Sequence, residues 1–591
     1  MSRSLLAALF CFTALGAAHA GTGPGSLDPG FGSAGATHVD FGGGIEAAMA
    51  LDIQPDGRYL MASPGRATGS PVGTILVARA LRDGSPDPGF NGTGHRRLGT
   101  DSYRLDLGAI RALADGRSVV VGTKTVGSSP NAVQHGWITR LNADGSTDTG
   151  FGTGGVVEIA APANPNLFVT AGQVLSDGRI VFAGYEVDHN SVRLPFAFRL
   201  LASGQPDPAF GSGGRATAPA LGGDFVLDNI TVDAQGKVLL AGFNYGVKPV
   251  TGALLRLNAD GSVDQAFGAA GVLRRNIDYW STEFTDVRVQ PDGRILLDAY
   301  TYDQSNYDTP AVLHVLRLNV DGSPDAAFGN GGRFTYGNAR SFAMLLQPDG
   351  RIVLAGAAWT NPQNGVILRL LPNGQPDPAF AAGGVYTNAA VAPQFVNGIA
   401  LDPDGKIAFL STGVAADNQQ NGILGRLIGT EITTPVVEFY NGALNHYFIT
   451  ADPAEATAID NGAAGPGWVR TGQTFRSGGP NRVCRFYGSP DTDPQTGLRR
   501  GPNGHFYTID AAECAKVKQD AGWKFESYDF NGWTKTANGA CPAGTTPVRR
   551  AYNNRYAQND SNHRYAASYA IYKQMLMQGW TGEGIVFCAA S

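Results

Sequence analysis

What most constrains this chain is a set of three short markers that recurs seven times, in fixed order, between residues 24 and about 430. The first is an Asp-x-x-Phe segment ending at Phe31, Phe90, Phe151, Phe210, Phe267, Phe328 and Phe380. Its intervals of 59, 61, 59, 57, 61 and 52 residues fall in the range of propellers and stacked arrays. The second is a Gln-Pro-Asp-Gly-Arg type turn that starts at Gln54, Leu113, Leu175, Asp233, Gln290, Gln347 and Asp402. The third is an arginine closing an apolar run, at Arg79, Arg140, Arg199, Arg256, Arg317, Arg369 and Arg426.

Each marker has a local physical meaning. Pro-Asp-Gly between apolar runs suits a tight hairpin, because proline presets φ and glycine accepts a positive φ. The runs beside it, such as Arg179-Ile-Val-Phe-Ala-Gly184, are short and strand-like. Asp260-Gly261-Ser262 and its relatives mark a further turn ahead of the phenylalanine segment. One repeat of about 58 residues therefore reads as four short antiparallel strands, the composition of a propeller blade. The ends of the array favour a ring. Asp28 has no arginine strand before it, and Arg426 has no aspartate after it, whereas Arg140 precedes Asp148 by eight residues. An open stack would instead want polar caps at both ends. The expected fold is mainly β: a seven-bladed propeller closed by Asp28 pairing with Arg426, followed by a small α+β domain.

That second domain, residues 436–591, follows a linker at 431–435 and repeats a different, aromatic pattern in three copies. Copy one has Val437-Glu-Phe-Tyr440, His446, Ala454-Glu455 and Gly467-Trp468. Copy two has Cys484-Arg-Phe-Tyr487, His505, Ala512-Glu513 and Gly522-Trp523. Copy three has Arg549-Arg-Ala-Tyr552, His563 and Gly579-Trp580, with Tyr569 to Met577 in place of the Ala-Glu helix. Each copy reads as two strands, a short helix and a strand after Gly-Trp.

On these markers residues 24–430 resemble the delta-60 repeat family, whose unit runs Leu-Asn-x-Asp-Gly-Ser-x-Asp-x-x-Phe-Gly and then Gln-Pro-Asp-Gly-Lys/Arg-Ile. Residues 436–591 resemble the DUF5648-type domain, with its Phe-Tyr, His-Phe-Tyr-Thr, Ala-Glu and Gly-Trp-x-x-Glu-Gly elements. Together these resemblances imply an exported bacterial β-repeat protein, and neither carries an assigned activity or a catalytic residue. Within the three-copy frame, Cys484–Cys514 and Cys541–Cys588 are the favoured disulfides, because each joins elements of one copy. A zinc site made of all four is disfavoured, since no CxxC pair exists.

Export is legible at the amino terminus. Arg3, the apolar run Leu5 to Ala17 and the small-x-small Ala18-His19-Ala20 form a secretory leader, cleaved near Ala20. The run is too short to cross a bilayer core of about 30 Å. The mature chain is expected to be secreted or periplasmic, with no insertion in a membrane. A net charge of −5 and a pI near 6.0 argue against nucleic acid as a partner.

For function the sequence offers weaker readings. His446, His505 and His563 hold equivalent places, which is the pattern of a zinc site on a pseudo-threefold axis; a buried hydrogen bond repeated in each copy explains them as well, and no metal is assigned. Asn142-x-Asp144-Gly-x-x-Asp148 resembles an oxygen-rich calcium loop, yet turn chemistry explains every copy, and no cofactor is assigned. Trp533 and Tyr528 fall outside the repeated pattern and are the candidate sugar platforms. No GxSxG, HExxH or Walker sequence is present. The reading is an exported, non-catalytic binding or scaffold protein for polysaccharide or another cell-surface ligand. The alternative is a carbohydrate-active or other hydrolase with its site at the channel mouth.

Overall fold

A computed structural model describes residues 23–590, except 42–44, 47–48, 67–72, 100–102, 128–131, 161–165, 218–223, 279, 304, 306–309, 359–363, 388–392, 415–419, 430–432, 480 and 543. The expected leader and residues 431–432 of the expected linker lie outside these. The chain divides into two compact units, one made of residues up to Leu401 with Ile407–Gly429, the other of Asp402–Lys406 with Thr430 onward.

The first unit repeats one motif, four antiparallel strands in sequence order, as in Phe225–Val232, Val238–Asn244, Thr251–Leu257 and Val272–Arg275. Seven such groups occur among the described residues. The last is completed from the far end of the chain: Ala36–Val39 pairs with Gln420–Leu427, Ala36 opposite Gly425 and Val39 opposite Gly422. The second strand Val238–Asn244 is buried at every position, and its counterparts at most positions, because each sheet is covered on both faces by its neighbours. That is why the runs after the Pro-Asp-Gly turns are continuously apolar rather than alternating. The core lies between sheets, as where Ala171, Val181 and Phe210 pack with Phe225, Leu227 and Leu240.

The three markers converge on one buried cluster per repeat. Arg199 Nε donates to Asp207 Oδ2 at 2.7 Å, and its guanidinium lies 4.6 Å over the Phe210 ring. Arg199 Nη1 also donates to Ala259 O of the following repeat at 2.6 Å. In six repeats the turn's own cation joins the same aspartate, as where Arg117 meets Asp148 at 2.8 Å and Lys237 meets Asp264 at 2.6 Å. Glycine of the next Asp-Gly-Ser turn then lies on the phenylalanine. A Cβ on Gly145, at φ +82°, would sit 2.9 Å from the Phe90 ring. At the closure, Arg426 Nε donates to Asp28 Oδ2 at 2.8 Å, with Arg426 4.6 Å over Phe31. Asp28 N donates to Arg426 O at 2.8 Å, as Asp148 N does to Arg140 O at 2.9 Å.

In the second unit each copy is a hairpin, a helix and a third strand. The helices are α1 (Pro453–Asp460), α2 (Ala511–Val517) and α3 (Tyr569–Met577). Asp452, Asp510 and Ser568 cap them at equivalent places, each side chain accepting from a backbone N–H of the first turn. The copies lock together through ion pairs over aromatic rings. Arg485 of copy two reaches Glu455 in α1 at 2.7 Å and lies 5.5 Å over Phe448. Arg550 of copy three reaches Glu513 in α2 at 3.5 Å and lies 4.7 Å over Phe506. At the third junction the charges exchange sides: α3 has Ile571 where the others have glutamate, and copy one has Glu438 where the others have arginine. Glu438 accepts from Arg564 at 2.8 Å, and Arg564 lies 4.1 Å over Tyr447. The disulfides Cys484–Cys514 and Cys541–Cys588 each close within one copy.

Candidate functional site

The markers bond to one another and present little to a ligand; the variable residues lie on the inner strands, the first strand of each group, such as Phe225–Val232, which neighbour one another around the ring. In six of these strands the register slips by one residue, between Leu107 and Ala109, Val169 and Ala171, Leu227 and Asn229, Phe284 and Asp286, Ser341 and Ala343, and Val396 and Gly398. A bulge leaves one residue out of the ladder and re-aims its side chain. The bulged residues are Gly108, Thr170, Asp228, Thr285, Phe342 and Asn397, each five positions before its turn marker, and Met49 holds that place in the first repeat. All seven line one cavity of about 340 Å³, within the size range of small-ligand sites. Seven repeats thus supply six residue types to one space, with threonine used twice.

Arg340 and Phe342 of the lining belong to a column of rings and one guanidinium. Phe395 and Phe342 meet edge-on at 5.9 Å, Arg340 lies 5.3 Å over Phe342 and 4.5 Å over Tyr300, and Tyr300 stacks on Tyr302 at 5.7 Å. Buried Glu283 accepts from the Tyr300 hydroxyl and, at 2.9 Å, from that of Tyr302. Burial, and then Glu283, push the Asp228 carboxyl up to about 8, with Arg340 opposing. Behind the bulge, Thr285 Oγ1 donates to Asp298 Oδ2 at 3.1 Å, and burial pushes Asp298 up to about 7. Burial also raises Asp286, opposed by Arg288 at 2.6 Å and by the N–H of Met344 at 2.9 Å.

The walls are stitched from strand to strand at this level. Ala112 N donates to Asp52 Oδ2, Val232 N to Gln173 Oε1 and Met344 N to Asp286 Oδ2, each at 2.9 Å. Every acceptor stands on the neighbouring inner strand, so the lining is held by the scaffold rather than by loops.

Comparison with known families places both parts of the chain. Six segments, 54–90, 113–151, 175–210, 236–267, 290–328 and 347–380, match the family described as "Domain of unknown function (DUF5122) beta-propeller". Residues 498–591 match "Domain of unknown function (DUF5648)". The chain carries a DUF5122 β-propeller and a DUF5648 domain. No curated protein sequence matches it at a significant level. Among solved structures, catalytically inactive virginiamycin B lyase from Staphylococcus aureus with quinupristin is 12% identical, covering 66% of this chain and 98% of that one, with a TM-score of 0.36. Penicillium chrysogenum alpha-L-arabinanase complexed with arabinobiose is 11% identical, covering 57% and 98%, at 0.35. YCF48 from Cyanidioschyzon merolae is 12% identical, covering 66% and 99%, at 0.34.

Around the DUF5648 match, the three histidines each face a different carboxylate. His446 Nε2 lies 2.6 Å from Asp560, His505 Nε2 3.4 Å from Glu526, and His563 Nε2 3.8 Å from Glu583. Burial, then Arg550, depress His563 to about 3, and burial lowers His446 against the pull of Asp560. Among the described residues no group of three or more His, Cys, Asp or Glu is arranged to hold a metal ion. The Tyr528 ring is engaged by Arg482 at 4.5 Å, Lys518 at 4.9 Å and Phe525 at 5.2 Å. Trp533 pairs through its backbone with Cys588, and a Cβ on Gly479 would lie 2.6 Å from its indole. Both aromatics are thus tied into the domain.

The cavity residues Asp228, Arg340 and Phe342, and the linked residues Glu283, Tyr300, Tyr302 and Phe395, are absent from the sequence-based candidates. A signal for them exists. Seven positions before the turn marker the repeats read Asp106, Phe168, Val226, Glu283, Arg340 and Phe395, and five before it they read just as variously. Places that keep register yet change chemistry are where a repeat protein differs from its own consensus.

Proposed function

We propose that this protein is an exported binding protein whose propeller channel receives a polar, hydroxyl-rich ligand of the saccharide class. The observation that carries the reading is the cavity of about 340 Å³ ringed by the residue at one equivalent place in each repeat, six of them bulged. Asn229, Thr285 and Asn397 bring hydrogen-bonding groups to it, and Phe342 brings a half-buried ring on which the apolar face of a sugar stacks. Export is supported by the leader-like first twenty residues and by two disulfides, which persist in oxidising compartments. Among the described residues no helix is long and apolar enough to cross a membrane. A glycan array probed with the full-length protein, with and without chelator, tests the reading. Binding to a defined glycan set, unaffected by chelator, is expected; no binding to any glycan removes it.

One observation favours a hydrolytic reading. Asp228, raised to about 8, keeps its proton at neutral pH, and Glu283, which acts on it electrostatically, accepts from two phenol hydroxyls. A protonated carboxylic acid with a second carboxyl group close by is the raw material of acid–base catalysis. Release of reducing ends from bound glycans, abolished by Asp228→Asn, would establish it; glycans recovered intact would exclude it.

A further inference from the structure

Three guanidiniums line the cavity, and two of them are answered locally. Arg288 pairs with Asp286 at 2.6 Å and donates to Met344 O at 3.1 Å. Arg111 donates to Ile110 O at 2.8 Å and interacts electrostatically with Asp52. Arg340 differs. It acts electrostatically on Asp228, yet among the described residues it forms no ion pair within 4.0 Å, and its buried Nε has no acceptor. Tyr300 and Phe342 hold its plane from 4.5 and 5.3 Å, so the fork is fixed in orientation while its donors stay unspent. An arginine pre-oriented in this way matches a planar carboxylate with two parallel hydrogen bonds.

We infer, building on the saccharide-binding role above, that Arg340 receives the carboxylate of an acidic sugar and that the channel selects uronate-bearing glycans. Phe342 lies beside the fork and offers its ring to the sugar carbons, as a uronate, with its carboxylate on the sugar ring, requires. Each neighbouring acid is protonated or already engaged. Asp228 is neutral at pH 7, its carboxyl being raised to about 8. Glu283 is occupied by the Tyr300 and Tyr302 hydroxyls, and Asp286 by Arg288.

The test is titration calorimetry of the full-length protein with tetramers of galacturonate, mannuronate, guluronate and glucuronate, the methyl ester of each, a neutral galactose tetramer and a sulfated one. At least one uronate is expected to bind, with its methyl ester and the neutral tetramer weaker by tenfold or more. Arg340→Gln should weaken that uronate by roughly 10- to 100-fold, and Arg340→Lys, which keeps the charge but loses the fork, by an intermediate factor. Melting curves establish that both variants fold; if Arg340→Gln does not, Arg340→Lys carries the comparison. Equal affinity for acid and ester, unchanged affinity in the variants, preference for the sulfated tetramer, or no uronate binding would each overturn the inference. Binding of neutral glycans alone would overturn it and leave the saccharide reading standing, whereas no binding to any glycan removes both.

Discussion

Cutting the Asp28–Arg426 pair should destabilise the propeller as much as cutting an equivalent pair whose partners are close in sequence. Asp28 and Arg426 are 398 residues apart, and both are 6% exposed. Asp28 Oδ2 accepts from Arg426 Nε at 2.8 Å and from Nη2 at 2.7 Å, and Oδ1 accepts from Gly30 N at 3.0 Å. Removing one partner of a buried pair costs about 3–5 kcal/mol, because a charge is left without its counterpart. Arg426 would still donate to Arg82 O at 2.7 Å and to Tyr59 OH at 3.0 Å, so the lower end, about 3 kcal/mol, applies to Asp28→Ala. For a cooperative unit of about 400 residues, at about 2.1 cal/mol/K per residue, this corresponds to roughly 3–4 °C in Tm. The assay is a double-mutant cycle, Asp28→Ala with Arg426→Met, followed by urea unfolding, with Asp148→Ala and Arg140→Met as the local reference. Coupling of similar size in both cycles is expected. If Asp28 and Arg426 contribute additively while Asp148 and Arg140 couple, the ring is not closed by this pair.

Three further outcomes follow from the same geometry. Folded Asp228 keeps its proton to about 8 against 3.8 unfolded, so the folded state binds more protons between those values and stability falls as pH rises through them. Asp228→Asn should therefore flatten the stability profile from pH 4 to 8 and become progressively more stable relative to wild type as pH rises, by at most about 1–2 kcal/mol given access of water to the cavity; parallel profiles would contradict this. Gly145→Ala brings a Cβ to 2.9 Å from Phe90 at φ +82° and should cost roughly 2–5 kcal/mol in urea unfolding, whereas Gly154→Ala, at φ +61° with nothing within 4 Å, should cost about 1. Replacing Cys541 and Cys588 by serine opens a 47-residue span and should lower the stability of the DUF5648 domain by up to about 4 kcal/mol, leaving the propeller transition unchanged in calorimetry.

The scaffold was legible because its stabilising contacts are made by repeated side chains. Arg199, Asp207, Phe210 and the turn cation Arg179 form one cluster, and any repeat that loses a member leaves a buried charge unanswered. Strict spacing of the markers is the sequence image of that constraint. In the second unit, the missing Ala-Glu of α3 looked like a simple departure from pattern; with Ile571 there and Glu438 in place of arginine, it is a charge exchange that keeps the third junction neutral. The channel was not legible by the same means. A bulge has no residue signature of its own, and Asp228, Thr285 and Phe342 share position without sharing chemistry. His446, His505 and His563 show the converse: equal places in the sequence, with separate carboxylate partners in the fold.

The claim on which the functional account rests is that ligand enters the ring of bulged residues, while the markers serve only as scaffold. Filling that ring with Thr285→Trp and repeating the glycan array with the full-length protein tests it most directly. Loss of every glycan bound by the wild type, with retained folding and with Tyr528→Ala and Trp533→Ala still binding, is the predicted result. An unchanged binding profile in Thr285→Trp would contradict it.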